Sequence, residues 1–151
     1  MSDHLTIPQL RRTAQVTQEW ITDLAGRSPM ESPEQAYSIL RAVLHAVRDR
    51  LTPEEAAHLA SNLPMLVRGF YWEGWRPALA PNEFETAEAF HDRIRESLHQ
   101  QSEEEGGVDL GEATAVTLQF LTDRVGLGAL RHVTSQLPQE IEALFPEEAR
   151  A

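Results

Sequence analysis

The chain has 151 residues, no cysteine, and 24 acidic against 13 basic side chains, for a formal net charge of −11. That length suits one compact domain burying roughly 68–70% of its unfolded surface, and the missing cysteine excludes disulfides, thiolate metal sites and a Cys nucleophile. The acidic balance argues against nucleic acid or an anionic membrane as a partner.

The charge is uneven: residues 1–79 carry 8 Arg against 9 acids, residues 80–151 carry 5 Arg against 15. The polar start has no basic region followed by an apolar run, so no signal peptide is expected. No apolar run is long enough to span a bilayer. A reducing, cytoplasmic home is the expectation that the cysteine-free composition fits.

Thr6-Ile7-Pro8-Gln9 reads as a helix start, with Thr6 as cap, Pro8 in the first turn and Gln9 closing a capping box. Leu10, Val16, Trp20, Ile21 and Leu24 follow at helical spacing, and Gly26 can end the helix. Ser32-Pro33-Glu34-Gln35 is a second start. Ala36, Leu40, Val43, Leu44, Val47 and Leu51 then form one broad apolar stripe, with Arg41, Arg48, Asp49 and Arg50 mainly outside it. Thr52-Pro53-Glu54-Glu55 repeats the same grammar before Ala56, Leu59, Ala60 and Leu63. Pro64 breaks that helix, and a short one through Met65, Leu66 and Phe70 follows.

Residues 77–81 read as a linker. Asn82 with Glu85 predicts another cap and box, with Phe84, Ala87, Phe90, Ile94 and Leu98 along the next helix. Gln100 to Gly107 reads as a polar loop. A helix from about Asp109 turns Ala113, Val116, Thr117, Phe120, Leu121 and Val125 inward. Gly126-Leu127-Gly128 is a turn, Ala129 to Gln136 a short helix, Leu137-Pro138 a second break, and Ile141, Leu144 and Phe145 close the fold. The tail from Pro146 is expected to fray.

A shift of 74 residues aligns the two halves without a gap. It pairs Asp49-Arg50-Leu51 with Asp123-Arg124-Val125, His58-Leu59 with His132-Val133, Ser61 with Ser135, and Leu63-Pro64 with Leu137-Pro138. Agreement at one offset over apolar and polar positions signals an internal repeat. The expected fold is all-α: one domain over 1–151, built from tandem units 6–76 and 82–146 with frayed ends. Each unit has two longer helices and a proline-broken third, and the units pack as one pseudo-two-fold bundle.

The run Leu40 to Leu51, Pro53-Glu54-Glu55-Ala56, and Leu63 to Trp75 resembles the bacterial family known as domain of unknown function 2267, over about Leu5 to Pro146. The resemblance implies a helical, duplicated, soluble bacterial protein and supplies no activity.

Glu55-Ala56-Ala57-His58 and Glu88-Ala89-Phe90-His91 have the spacing of di-iron helical bundles. Glu55, however, is expected to close the box with Thr52, and the offset places Ala129 and Ala14 opposite Glu55 and Glu88. No metal or cofactor is expected. No nucleophile, base and orienting group assemble in the pattern, so no catalytic residue is assigned. Asp49-Arg50 and Asp123-Arg124 end equivalent helices, where an Arg favours the helix dipole and can bridge the units.

The strongest functional stretch is Phe70, Tyr71, Trp72, Glu73, Trp75 and Arg76. Four aromatics in six residues exceed what one short helix buries, and Trp, Tyr and Arg dominate interface hot spots. The expected function is a non-enzymatic module that binds a protein partner or a second copy, with a homodimer as the simplest use. The alternative is a small-ligand or metal sensor using His45, His58 or His132 between the units.

Overall fold

The computed structural model of the chain describes residues 5–101 and 107–151, the side chains of Gln100 and Gln101 excepted. Among them run eight α-helices and two 3₁₀ turns, with no strand. The expected loop from Gln100 to Gly107 lies mostly outside the described residues.

Helix α1 (Pro8–Ala25) starts with Ile7 as its N-cap and no side-chain cap bond. Pro8 occupies the first helical position, which puts the cap one residue nearer than Thr6. Ile7 and Leu10 are 54% and 41% exposed, because the first turns overhang the core. The predicted stripe is buried only at Trp20, Ile21 and Leu24, with Val16 partly buried.

Helix α2 (Pro33–Arg50) is the hub, packing against α1, α4, α5 and α6. Ser32 Oγ accepts from Gln35 N–H at 3.1 Å, as its cap role predicts. Gln35 Oε1 takes the Glu31 N–H at 2.7 Å and does not close the box on Ser32. Arg48, expected off the stripe, is only 3% exposed.

Thr52 Oγ1 caps α3 (Pro53–Ala60) by accepting from Glu55 N–H at 3.3 Å. Pro64, in extended backbone, leads into α4 (Met65–Trp72). A 3₁₀ turn at Pro77–Leu79 follows. Helix α5 (Ala87–Gln101) begins later than the Asn82–Glu85 reading predicts. Both the backbone N–H and Nδ2 of Asn82 donate to the Asp49 carbonyl at the end of α2, so Thr86 Oγ1 caps instead, accepting from Ala89 N–H at 3.0 Å.

Helix α6 (Leu110–Val125) is capped by Asp109, whose Oδ1 accepts from Glu112 N–H at 2.8 Å. Helix α7 (Leu127–Thr134) starts straight after Gly126, whose φ of +107° suits glycine. The expected three-residue turn is therefore absorbed into the helix. Helix α8 (Gln139–Glu142) is one turn long.

The tail expected to fray forms a 3₁₀ turn at Glu147–Ala149 and closes on α7. Thr134 Oγ1 donates to the Ala149 carbonyl at 2.8 Å, Arg131 Nε to the Glu148 carbonyl at 2.9 Å, and Ala149 is fully buried.

The bounds of α3 and α7 follow the offset seen in the sequence. Pro53–Ala60 and Leu127–Thr134 are both eight residues long, and Ser61 and Ser135 cap their ends by donating to the His58 and His132 carbonyls at 2.6 Å. The arginines after the paired aspartates reach across the halves. Arg124 contacts Asp23 at 2.9 Å and Arg50 Nε donates to the Phe84 carbonyl at 2.9 Å. Arg27 pairs with Asp23 at 3.1 Å and Asp123 at 2.8 Å, and both Arg27 and Arg124 lie over the Phe120 ring. Burial alone would raise the Asp23 pKa, but hydrogen bonds from Arg27 and Arg124, and their charge, hold it below the usual value.

Candidate interaction site at helix α4

The last carbonyls of any α-helix lack partners within it. In α4 they are met from one line of α2, where Arg41, His45 and Arg48 stand at i, i+4 and i+7 on one face: His45 and Arg48 reach carbonyls, and Arg41 reaches the Glu73 carboxylate. The Phe70 carbonyl lies 2.7 Å from His45 Nε2. A carbonyl can only accept, so Nε2 carries the proton. Arg48 Nη1 donates to the Tyr71 carbonyl at 2.6 Å and the Glu73 carbonyl at 2.8 Å. Arg41 Nη2 pairs with the Glu73 carboxylate at 3.3 Å. The buried Arg48 charge is balanced by Asp49 at 2.8 Å, which Arg93 also holds at 3.1 Å.

Burial lowers the His45 pKa. The Phe70 carbonyl opposes that shift, while the Arg48 and Arg41 charges reinforce it. The imidazole therefore works as a neutral donor. At the other end of α4, Leu66 N–H donates to Thr13 Oγ1 of α1 at 3.0 Å. From its last turn, Tyr71 Oη donates to the Ala56 carbonyl at 2.8 Å, and burial pushes the phenol pKa up.

The aromatic tract divides accordingly. Phe70 and Tyr71 are core residues, 6% and 0% exposed, with Tyr37 edge-on to Phe70 at 5.5 Å. As they stand they offer no contact surface. Trp72 is half-buried and lies 4.7 Å from Trp75, which folds back over it. Gly74 between them has φ +74°, a conformation that side chains disfavour. Glu73 and Arg76 are exposed. Trp75 Nε1 is shielded from solvent and has no acceptor among the described residues.

The sequence reading missed the other half of this surface. Val67, Phe70 and Tyr71 form the buried side of α4, so helical geometry turns Met65, Gly69 and Trp72, at i, i+4 and i+7, to the opposite side. Met65 and Leu66 are 53% and 46% exposed. A methyl group at Gly69 would meet nothing within 4 Å, and the backbone there is not in the positive-φ region. The described residues thus give no reason for a glycine that costs about 1 kcal/mol relative to Ala. The available signal was the apolar character of 65–72 all round the helix, wider than one buried stripe needs.

The histidines go to two places. His58 and His132 do meet, with ring centroids 4.3 Å apart where α3 packs on α7. Glu55, expected to close the box with Thr52, instead lies 2.8 Å from His132 Nε2. His45 belongs to the α4 clamp. Among the described residues no group of three His, Asp or Glu is placed to hold a metal ion, and His91 Nε2 is shielded with no partner there.

A family model described as "Uncharacterized conserved protein (DUF2267)" matches residues 17–144. The chain belongs to this family. The match runs from within α1 to just beyond α8, so the α2 clamp, all of α4 and the His58–His132 contact lie inside it. No curated protein matches the chain. Among the described residues no helix is long and apolar enough to cross a membrane.

Proposed function

We propose that this member of the family is a non-enzymatic, cytoplasmic protein-binding module whose contact surface is the outward side of α4. The surface comprises Met65, Leu66, Gly69, Trp72 and Trp75, with Glu73 and Arg76 at its edge. The carrying observation is that α4 is fixed at both ends by side chains of α1 and α2 and still leaves large apolar groups uncovered. A pre-ordered apolar face with Trp and Arg is what an interface hot spot requires. The module reads as a single domain of two tandem units, 6–76 and 82–146, with α4 as the feature developed in one unit alone.

Affinity isolation of the full chain from its source cells, compared with Met65→Glu, tests this. Met65 is half exposed, so the variant should melt like the parent by circular dichroism and lose specific partners. An unchanged partner set from the folded variant contradicts the proposal.

The His58–His132 contact favours a second reading, a small-ligand site between the units. A thermal-shift screen with anionic metabolites and divalent metals, repeated on His58→Ala, checks it. Silence across both removes it.

A further inference from the structure

This inference rests on the reading of α4 as a contact surface and names its partner. We infer that the outward side of α4 receives an acidic amphipathic helix from a different protein.

Along the chain beside the exposed apolar groups, basic side chains outnumber acidic ones, Arg68 and Arg76 against Glu73. Arg68 and Arg76 form no ion pair among the described residues, and Glu73, the sole acid between Glu55 and Glu83, is already paired with Arg41. The Arg68 guanidinium is held in place by donating to the Ala60 and Leu63 carbonyls at 2.9 and 2.8 Å. The result is a small positive apolar surface on a chain of net charge −11. Helix α4 has eight residues, about 12 Å of axis, which matches the apolar anchors of two turns of a facing helix. The open space at Gly69 lets that helix approach closely.

A second copy fits less well. A two-fold contact would bring two copies of the same patch together, with Arg68 and Arg76 of one facing a surface of the same charge on the other. A head-to-tail contact could meet Ile7, Leu10, Tyr37 or Leu79, but these lie in the first half, whose 8 Arg and 9 acids nearly cancel and offer Arg68 and Arg76 little complement, unlike the acidic second half. Among the described residues from 80 onward, Leu127 is the one large apolar side chain exposed by more than a third. An extended anionic bilayer would meet the acidic remainder of the molecule as well. A helix about 10–12 Å across meets α4 alone, and at physiological salt charges beyond about 8 Å are screened.

The test places a photo-crosslinker in the full chain as Met65→benzoylphenylalanine, with Leu66→benzoylphenylalanine as a second placement, in the source cells. The crosslinked segment is identified by mass spectrometry. The expected segment comes from another protein, has more Asp and Glu than Arg and Lys, and spaces its apolar residues as a helix does. Adding Arg76→Glu, at a side chain with no ion pair among the described residues, should lower the yield roughly tenfold through like-charge contact. A segment of this same chain, a lipid, a neutral or basic segment, or an undiminished yield overturns the inference. A crosslink to a non-acidic protein leaves α4 standing as a contact surface. No crosslink from either folded variant removes that reading too.

Discussion

The helices that follow Leu63-Pro64 and Leu137-Pro138 begin alike and end differently. Pro64 and Pro138 have nearly the same extended backbone. After Pro64 the helix runs for eight residues, and after Pro138 for four. At the positions of Arg41, His45 and Arg48 the second half has Ala115, Gln119 and Thr122, and at those of Tyr71 and Trp72 it has Phe145 and Pro146. In the second half the donors of Gln119 and Thr122 are spent within α6, on the Asp123 carboxylate and the Leu118 carbonyl, and a proline stops the helix after Pro138 early. Its carbonyls are met from the tail instead, where Arg150 donates to the Phe145 and Ala143 carbonyls at 3.0 and 2.9 Å. One scaffold carries two sets of polar wiring. Only the first holds a helix against α2 with an apolar side left outward.

The largest test of this contrast is Arg48→Met. It strips donors from the Tyr71 and Glu73 carbonyls and removes a partner from Asp49. Breaking a buried charged pair should cost about 3 kcal/mol in denaturant unfolding and shift the tryptophan emission of Trp72 and Trp75 to the red. At the matching position Thr122 Oγ1 only donates back to the Leu118 carbonyl at 2.8 Å, so Thr122→Ala should cost under about 1 kcal/mol. Equal losses would erase the difference between the halves.

Tyr71→Phe gives the first half the second half's phenylalanine. It loses the bond to the Ala56 carbonyl and should cost about 1 kcal/mol in the same unfolding experiment. No change would mean that the hydroxyl contributes nothing to holding α4.

His45 adds a pH dependence that Gln119 cannot supply. Its folded pKa lies below its ordinary value near 6.5, chiefly through burial. The unfolded chain then binds the proton more readily, and the stability present above about pH 6.5 is lost as pH falls toward the folded pKa. Melting temperatures from pH 8 to 5 should fall more for the parent than for His45→Gln. Parallel curves would contradict the neutral-donor role.

How much of this was legible in the sequence follows from how local each cause is. The caps at Ser32 and Thr52 were readable because the groups involved are three residues apart. The equivalence of His58 and His132 was readable from the offset, and their contact came only with the packing of α3 on α7. The clamp was not readable. Arg41, His45 and Arg48 lie off the apolar stripe of α2, and only the placement of α4 shows that His45 and Arg48 face carbonyls and Arg41 the Glu73 carboxylate. The same holds for Asn82, whose capping side chain is taken by Asp49 of another helix. The exposed side of α4 was half legible: the aromatic run stood out, but which of its members turn inward depends on packing.

The smallest effect belongs to Gly69. With open space at its Cβ and no positive φ, Gly69→Ala should stabilise the chain by about 0.5–1 kcal/mol while weakening any partner bound to α4. A destabilised variant would mean that the glycine serves the fold.

The central claim, that the basic line of α2 holds α4 as a distinct ordered element, is tested most directly by amide hydrogen exchange. The parent and Arg48→Met are compared at matched temperature. The account predicts that protection falls in 67–73 of the variant while 139–145 keeps its parental protection. A uniform loss across both halves, or no loss in α4, would contradict it.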